Sequence, residues 1–354
     1  MNLNTNTIGG MDMGRIGRAF AALALAAAPL SVAHAETNAD QASTQAMNSR
    51  FDAAFGTEVR TPREYAPQYG ASMEAMVAQL AEGSKGRIGV AAIDLSTGQE
   101  ISILGDQRFP MASTSKIAIA ATFMEGVEQG KWSLSSEFPL MIPVSSSPFS
   151  TSRAPVRAGN YMPASELIEL MITRSSNPAT DALIAAVGGT DKVNDWARRA
   201  GIEDFNLSRD IATLVRDDGE YDPAVHIDPR DSATPRAMVQ LLAGIYQGKW
   251  LKPESRRVII GAMERCRTGK RRIPALMPGS VTVAHKTGSL NNTSSDIGIL
   301  TAPDGRAVAV AIYVTGQGTR LNREGRIASI ARAVYDGYEG EARRAYANAR
   351  YSTR

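Results

Sequence analysis

One cysteine, Cys266, and three histidines stand in the 354 residues, and one of the histidines, His34, lies at the very end of an N-terminal apolar segment. A single thiol closes no intramolecular disulfide. One cysteine with two distant histidines, His226 and His285, makes no zinc site, so no metal and no cofactor are expected. No cysteine lies where an export signal would be cut, which excludes a lipid anchor at that point. The long apolar run, Ala19 to Val32, falls short of the roughly 20 residues a membrane-crossing helix needs. A formal net charge of +3 leaves no excess for a polyanion, so a nucleic-acid partner is not expected. No Gly-x-Ser-x-Gly elbow occurs, which disfavours a Ser-His-Asp triad built on one. There is no internal repeat.

What is present matches ordinary globular composition, 43% hydrophobic and 21% charged. Arg15 and Arg18 precede the apolar run, and Ala33-His34-Ala35 supplies a small-x-small cleavage pattern. Residues 1–35 therefore read as a secretory signal cut after Ala35, with Met1, Met11 or Met13 as the start. The expected address is the periplasm, with no membrane anchor after cleavage. Losing Arg15, Arg18 and Asp12 leaves a formal charge of +2. Residues 36–70 read as a linker with frayed helix, 71–345 as one catalytic domain, and 346–354 as a tail.

Within that domain, Ala71 to Leu80 is amphipathic, and Arg87 to Leu95 alternates as a strand, turns at Ser96-Thr97-Gly98 and returns through Glu100 to Leu104. The stretch from Leu134 to about Ala275 reads as helical. Its helices open at Pro163-Ala164-Ser165, Asn177-Pro178, Gly188-Gly189-Thr190 and Thr234-Pro235. Gly201 to Asp231 is polar and aperiodic, longer than a compact domain tolerates unless the loop is functional. Strands return at Val281 to His285, Asp296 to Ala302 and Ala307 to Val314, before a helix from about Glu324 to Tyr338. The fold class is α+β. Two early and three late strands form one five-stranded antiparallel sheet (about 71–112 and 280–345), covered by terminal helices, with an all-helical subdomain (about 113–279) inserted.

The chain is organised around Met111 to Val127, where nearly every position after Lys116 is apolar, as in a helix buried on all sides. Ser113 and Lys116 stand three apart at its start, so a nucleophile and a candidate base share one face where the helix end favours negative charge. This is the chain's one Ser-x-x-Lys among eight lysines. Ser175-x-Asn177 and Lys286-Thr287-Gly288 follow in order, on a helix start and a strand end.

These three motifs resemble those of the class A serine β-lactamases and penicillin-binding proteins, over roughly Ala71 to Tyr338. The resemblance implies a β-lactamase/transpeptidase-like fold and a serine hydrolase that opens β-lactam amides through an acyl-enzyme on Ser113. Lys116 is then the base if burial and Lys286 lower its pKa, and the N–H groups of Ser113 and Ser289 hold the oxyanion. Ser175 passes a proton to the departing nitrogen, and Asn177 binds the substrate's side-chain amide. Lys286 and Thr287 hold its carboxylate, and Gly288 lets the strand edge come close. Arg272 is a further candidate for that carboxylate. A D-alanyl-D-alanine peptidase and a non-hydrolysing penicillin-binding sensor are the alternatives, and a monomer is expected.

Two departures stand out. Ser176 occupies the place of the family's aspartate in the middle motif, and the Glu-x-x-Leu-Asn segment that supplies the deacylating glutamate is missing from the Gly201 to Asp231 loop. Leu207-Ser208-Arg209 and Arg230-Asp231 resemble that loop's ends, so an Arg209–Asp231 ion pair is expected to close it, with Arg216 as a second possible partner. Glu220, flanked by Gly219 and Tyr221, is the preferred deacylating base, with Asp210 and Asp218 as alternatives.

Overall fold

A computed structural model describes residues 72–83 and 85–352. The signal and the 36–70 linker lie outside the described residues. The first described helix, α1 (Ser72–Leu80), is followed by β1 (Ile88–Asp94) and β2 (Glu100–Ile103). From the other end of the chain come β8 (Thr282–Leu290), β9 (Thr293–Thr301), β10 (Ala307–Thr315) and the last helix, α9 (Arg320–Ser352). The five strands make one antiparallel sheet in the order β2-β1-β10-β9-β8. Its centre is the β1–β10 pair, registered from Ile88↔Val314 to Asp94↔Val308.

All nine residues of β10 are buried, because both sheet faces are covered. Side chains alternate across a strand. Val308, Val310, Ile312 and Val314 accordingly join Val77, Ile327 and Val334 of α1 and α9 in one core. Ala307, Ala309, Ala311 and Tyr313 join the larger core on the other face. Three alanines there leave room for α7 (Pro235–Gln247) to lie close against β1 and β10.

Between the two strand groups lie α2 (Lys116–Glu128), α3 (Ala164–Thr173), α4 (Asn177–Val187), α5 (Thr190–Arg199), α6 (Ile211–Arg216), α7 and α8 (Pro253–Glu264). Helix α2 is buried from Lys116 to Met124 and packs among α3, α4, α5 and α8. Caps fall where the turn chemistry puts them: the Ala179 N–H donates to the Ser176 hydroxyl, and the Ala237 N–H to that of Thr234.

The inserted part is not all helical. It holds an exposed ribbon, β4 (Glu137–Pro143) with β5 (Val156–Pro163), whose register breaks between Pro139 and Met141. Phe138, Leu140 and Met141 of β4 pack against the core, but the run has no apolar alternation and prolines interrupt it. A three-stranded patch, β3 (Phe109–Pro110), β7 (Ser232–Ala233) and β6 (Phe205–Asn206), fastens the polar loop's ends. Helix α6 inside that loop is too short to show a period. Strand β8 runs on through Leu290 rather than ending at His285, and the last helix absorbs part of the expected tail.

Candidate active site

Ala112–Ser115 form one 3₁₀ turn that runs directly into α2. The turn is pinned from several sides. The Thr114 N–H and hydroxyl both donate to the Met111 carbonyl, at 3.1 and 2.7 Å, and the Ser115 hydroxyl to that of Ala112 at 2.9 Å. The Thr114 and Tyr313 hydroxyls are 3.0 Å apart. Ala112 is forced to a φ of 49° and Ser175 to 58°, left-handed values that cost a non-glycine residue about 1–3 kcal/mol each. Strain thus sits beside Ser113 and on Ser175 itself.

The Lys116 ammonium donates to the Ser175 carbonyl (2.8 Å), the Ser175 hydroxyl (3.2 Å) and the Asn177 side-chain oxygen (2.9 Å). The Lys286 ammonium reaches the same Ser175 hydroxyl at 3.1 Å and the Thr287 carbonyl at 2.8 Å. Two lysines from distant elements therefore converge on one hydroxyl. Among the described residues no hydrogen bond joins Lys116 to Ser113. Burial holds Lys116 well below the usual lysine range, Lys286 adds to this, and Asp181 opposes it. Burial likewise brings Lys286 down to about 8, opposed by Cys266 and Asp296 and assisted by Arg272.

The β8 edge comes close to the serine turn at Gly288. A side chain there would meet the Met111 carbonyl oxygen at 2.7 Å and the Ala112 Cβ at 3.1 Å, so only glycine allows the approach. Ser289 follows it on the same strand edge.

Arg272 does not stand free for a substrate carboxylate. It is 1% exposed, and its N–H groups go to the Gly288 and Ser295 carbonyls (both 2.7 Å), the Ser289 hydroxyl (2.6 Å) and the Glu324 carboxylate (3.2 and 3.3 Å). All five donors of the guanidinium are committed. Its place is behind β8, fastening that edge to β9 and α9. Arg272→Ala is expected to lower unfolding stability by roughly 3–5 kcal/mol, the cost of stripping one partner from a buried ion pair. Denaturant titration reads this as a fall in midpoint at constant slope.

The polar loop is latched as expected. The Arg209 side chain donates to Asp231 at 2.6 Å, and the Ser208 and Arg209 N–H groups reach the other oxygen at 2.8 and 2.9 Å. Arg216 instead pairs with Asp217 and the Ser150 and Ser152 carbonyls. The loop acids each have other partners. Asp210 caps the Thr213 N–H, Asp218 accepts from the Asn291 N–H, and Glu220 is held by Arg230 at 2.7 Å. Glu220 lines a cavity of about 60 Å³ with Tyr221, His226 and Arg230, to which none of Ser113, Lys116 and Ser175 contributes. The structure pairs Glu220, the residue expected to be the deacylating base, with Arg230. Arg230 is shared with Asp228, whose carboxylate it also holds at 2.7 Å, and Gly219 adopts a φ of 96°.

Asp181 was missed, although its place one helical turn after Asn177 puts both on one face. It is buried, accepts from the Ile211 and Ala212 N–H groups at 2.7 and 2.9 Å, and so ties α4 to α6. Burial raises its carboxyl to about 6, against the pull of those two N–H groups.

The model of the β-lactamase enzyme family matches residues 72–338. The β-lactamase CTX-M-8 of Citrobacter amalonaticus is 32% identical over 280 residues, 77% of this chain and 92% of that protein. A β-lactamase structure from Chitinophaga pinensis superposes with a TM-score of 0.66 at 27% identity, covering 76% of this chain and 100% of that one. A variant of the last common ancestor of Gram-negative bacteria class A β-lactamase superposes with a TM-score of 0.65 at 32% identity, over 77% and 100%. The chain belongs to the β-lactamase enzyme family, as a class A serine β-lactamase that hydrolyses β-lactams.

Proposed function

We propose that Ser113 is the acylated nucleophile, that Lys116 in its neutral form is its base, and that Ser175 relays the proton. The observation that carries this is the meeting of Lys116 and Lys286 on the Ser175 hydroxyl. Ser113 gives its proton to Lys116 as it attacks the lactam carbonyl. That proton passes through Ser175 to the lactam nitrogen as the C–N bond breaks, and leaves Lys116 neutral again. Lys286 and Thr287 hold the carboxylate, Asn177 the side-chain amide, and the Ser113 and Ser289 N–H groups the oxyanion.

With the loop acids bound elsewhere, Lys116 also takes the proton of the water that cleaves the ester and returns it to Ser113. The enzyme works as a monomer in the periplasm after signal cleavage. Among the described residues no helix is long and apolar enough to cross a membrane. Time-resolved intact mass spectrometry with benzylpenicillin tests the assignment. Wild type and Glu220→Gln are expected to gain and clear one adduct at rates within about twofold. An adduct that accumulates only on Glu220→Gln would return the base to that residue. One persisting for hours on wild type would favour a protein that binds penicillin and does not turn it over.

A further inference from the structure

His285 precedes Lys286 on β8 and is buried, with its Nδ1 3.0 Å from both carboxylate oxygens of Asp296 on β9. Cys266, just past α8, lies close enough to the same imidazole for each group to shift the other's titration. Its sulfur also lies 3.4 Å from the Thr268 hydroxyl, which is 2.6 Å from that of Thr287. A thiol, an imidazole and a carboxylate are thus lined up behind the two residues assigned to the substrate carboxylate, and the proposed reaction uses none of the three.

We infer that Cys266, His285 and Asp296 are a positioning cluster that keeps Lys286 charged and Thr287 oriented for the substrate carboxylate. This rests on the reading of Lys286 as the carboxylate anchor. The thiol proton passes to the ring, which then donates one N–H to Asp296 and the other to the thiolate sulfur. Burial opposes charge on His285, but Asp296 outweighs it and lifts the imidazole to about 10. Burial also pushes the thiol up, and His285 with Thr268 and Lys286 overcomes this to bring it to about 7.

The charges around Lys286 decide what the thiolate does. Lys116 faces it across Ser175, and Arg272, itself paired with Glu324, lies on the β9 side; both disfavour a second cation. The Asp296 charge is largely cancelled by the imidazolium it holds. The Cys266 thiolate is the remaining anion, and it pushes the Lys286 pKa up against burial. Thr268 carries the same cluster to the Thr287 hydroxyl.

The chain has one cysteine, so thiolate ultraviolet absorbance followed against pH, taken as the difference from Cys266→Ser to cancel tyrosinate, reports Cys266. It is expected to titrate near 7 in wild type and higher in His285→Gln; titration at an ordinary thiol pKa in wild type overturns the cluster. The second measurement is the pH profile of KM for a carboxylate-bearing β-lactam. Cys266→Ser, which cannot ionise, is expected to move the alkaline rise in KM down by roughly one pH unit, the effect of losing one nearby charge. Cys266→Asp, which restores the charge, is expected to return it to the wild-type position. A merely structural role would change stability and leave that limb in place, and an unmoved limb in Cys266→Ser overturns the inference. A low thiol pKa with no alkaline rise in wild-type KM instead overturns the reading of Lys286, and the inference with it.

Discussion

Ser113→Ala is expected to abolish β-lactam turnover, with kcat falling by about 10⁴–10⁶-fold, the scale seen when a serine nucleophile is deleted from an enzyme of this kind. Intact mass after penicillin exposure is expected to show no adduct at all. The expectation rests on the pinned turn. Thr114, Ser115 and the strained Ala112 hold residue 113 where β8 crosses at Gly288, and a substituted neighbour cannot slide into its place. Because Ser113 makes none of those pinning bonds itself, the variant is expected to keep its fold and its melting temperature. A Ser113→Ala protein that still labels or hydrolyses would sink the assignment, and no loss of folding could be blamed.

Lys116→Arg is expected to cost about 10²–10⁴-fold in kcat/KM, the range for removing a general base. It keeps the positive charge but not the ability to give up a proton. The pH dependence separates the two lysines. Lys116 must be neutral to act, so wild-type kcat/KM is expected to rise with pH through its depressed pKa. Lys286 must be protonated to hold a carboxylate, so the rate is expected to fall as pH passes about 8. The result is a bell, and Lys116→Arg is expected to lose its acid limb while the alkaline limb stays. An acid limb that survives the substitution would give the base to another group, of which Asp181 is the buried acid nearest in charge to Lys116.

Much of this site is visible in the chain because each motif has a mechanical reason to sit on its element. A buried helix with one lysine at its mouth and a Pro-capped helix start each announce themselves through period and capping. The sheet is legible through β1 and β10, which are mostly apolar, whereas the polar start of β9, Thr293 to Ser295, is buried in the structure but carries no strand signal in the sequence. The β4–β5 ribbon and the six-residue α6 show no clear period, although both pack on the core, and the chain around them is held by contacts such as the Phe149 and Ala154 N–H groups donating to Asp217 and Thr213. The partners of Glu220 and Arg272 are not legible in the sequence for a related reason. Their chain positions suit catalysis, but a charged side chain goes to whichever opposite charge tertiary structure brings near, here Arg230 and Glu324. Asp181 was legible through its helical spacing from Asn177.

The sheet's centre joins the two ends of the domain, Ile88 to Val314, and that has a consequence for when the molecule can exist. At about 5–20 residues per second of synthesis, β1 waits roughly 10–45 s before β10 is made. Until then the β1–β2 and β8–β9 pairs can form only as separate hairpins, and a lone hairpin is marginal in water. Nothing local can close the structure early, so the nascent chain stays loose and threadable until its last strands arrive. A chain broken off before Ala307 has no middle to its sheet, and every helix that leans on β10 is left without support.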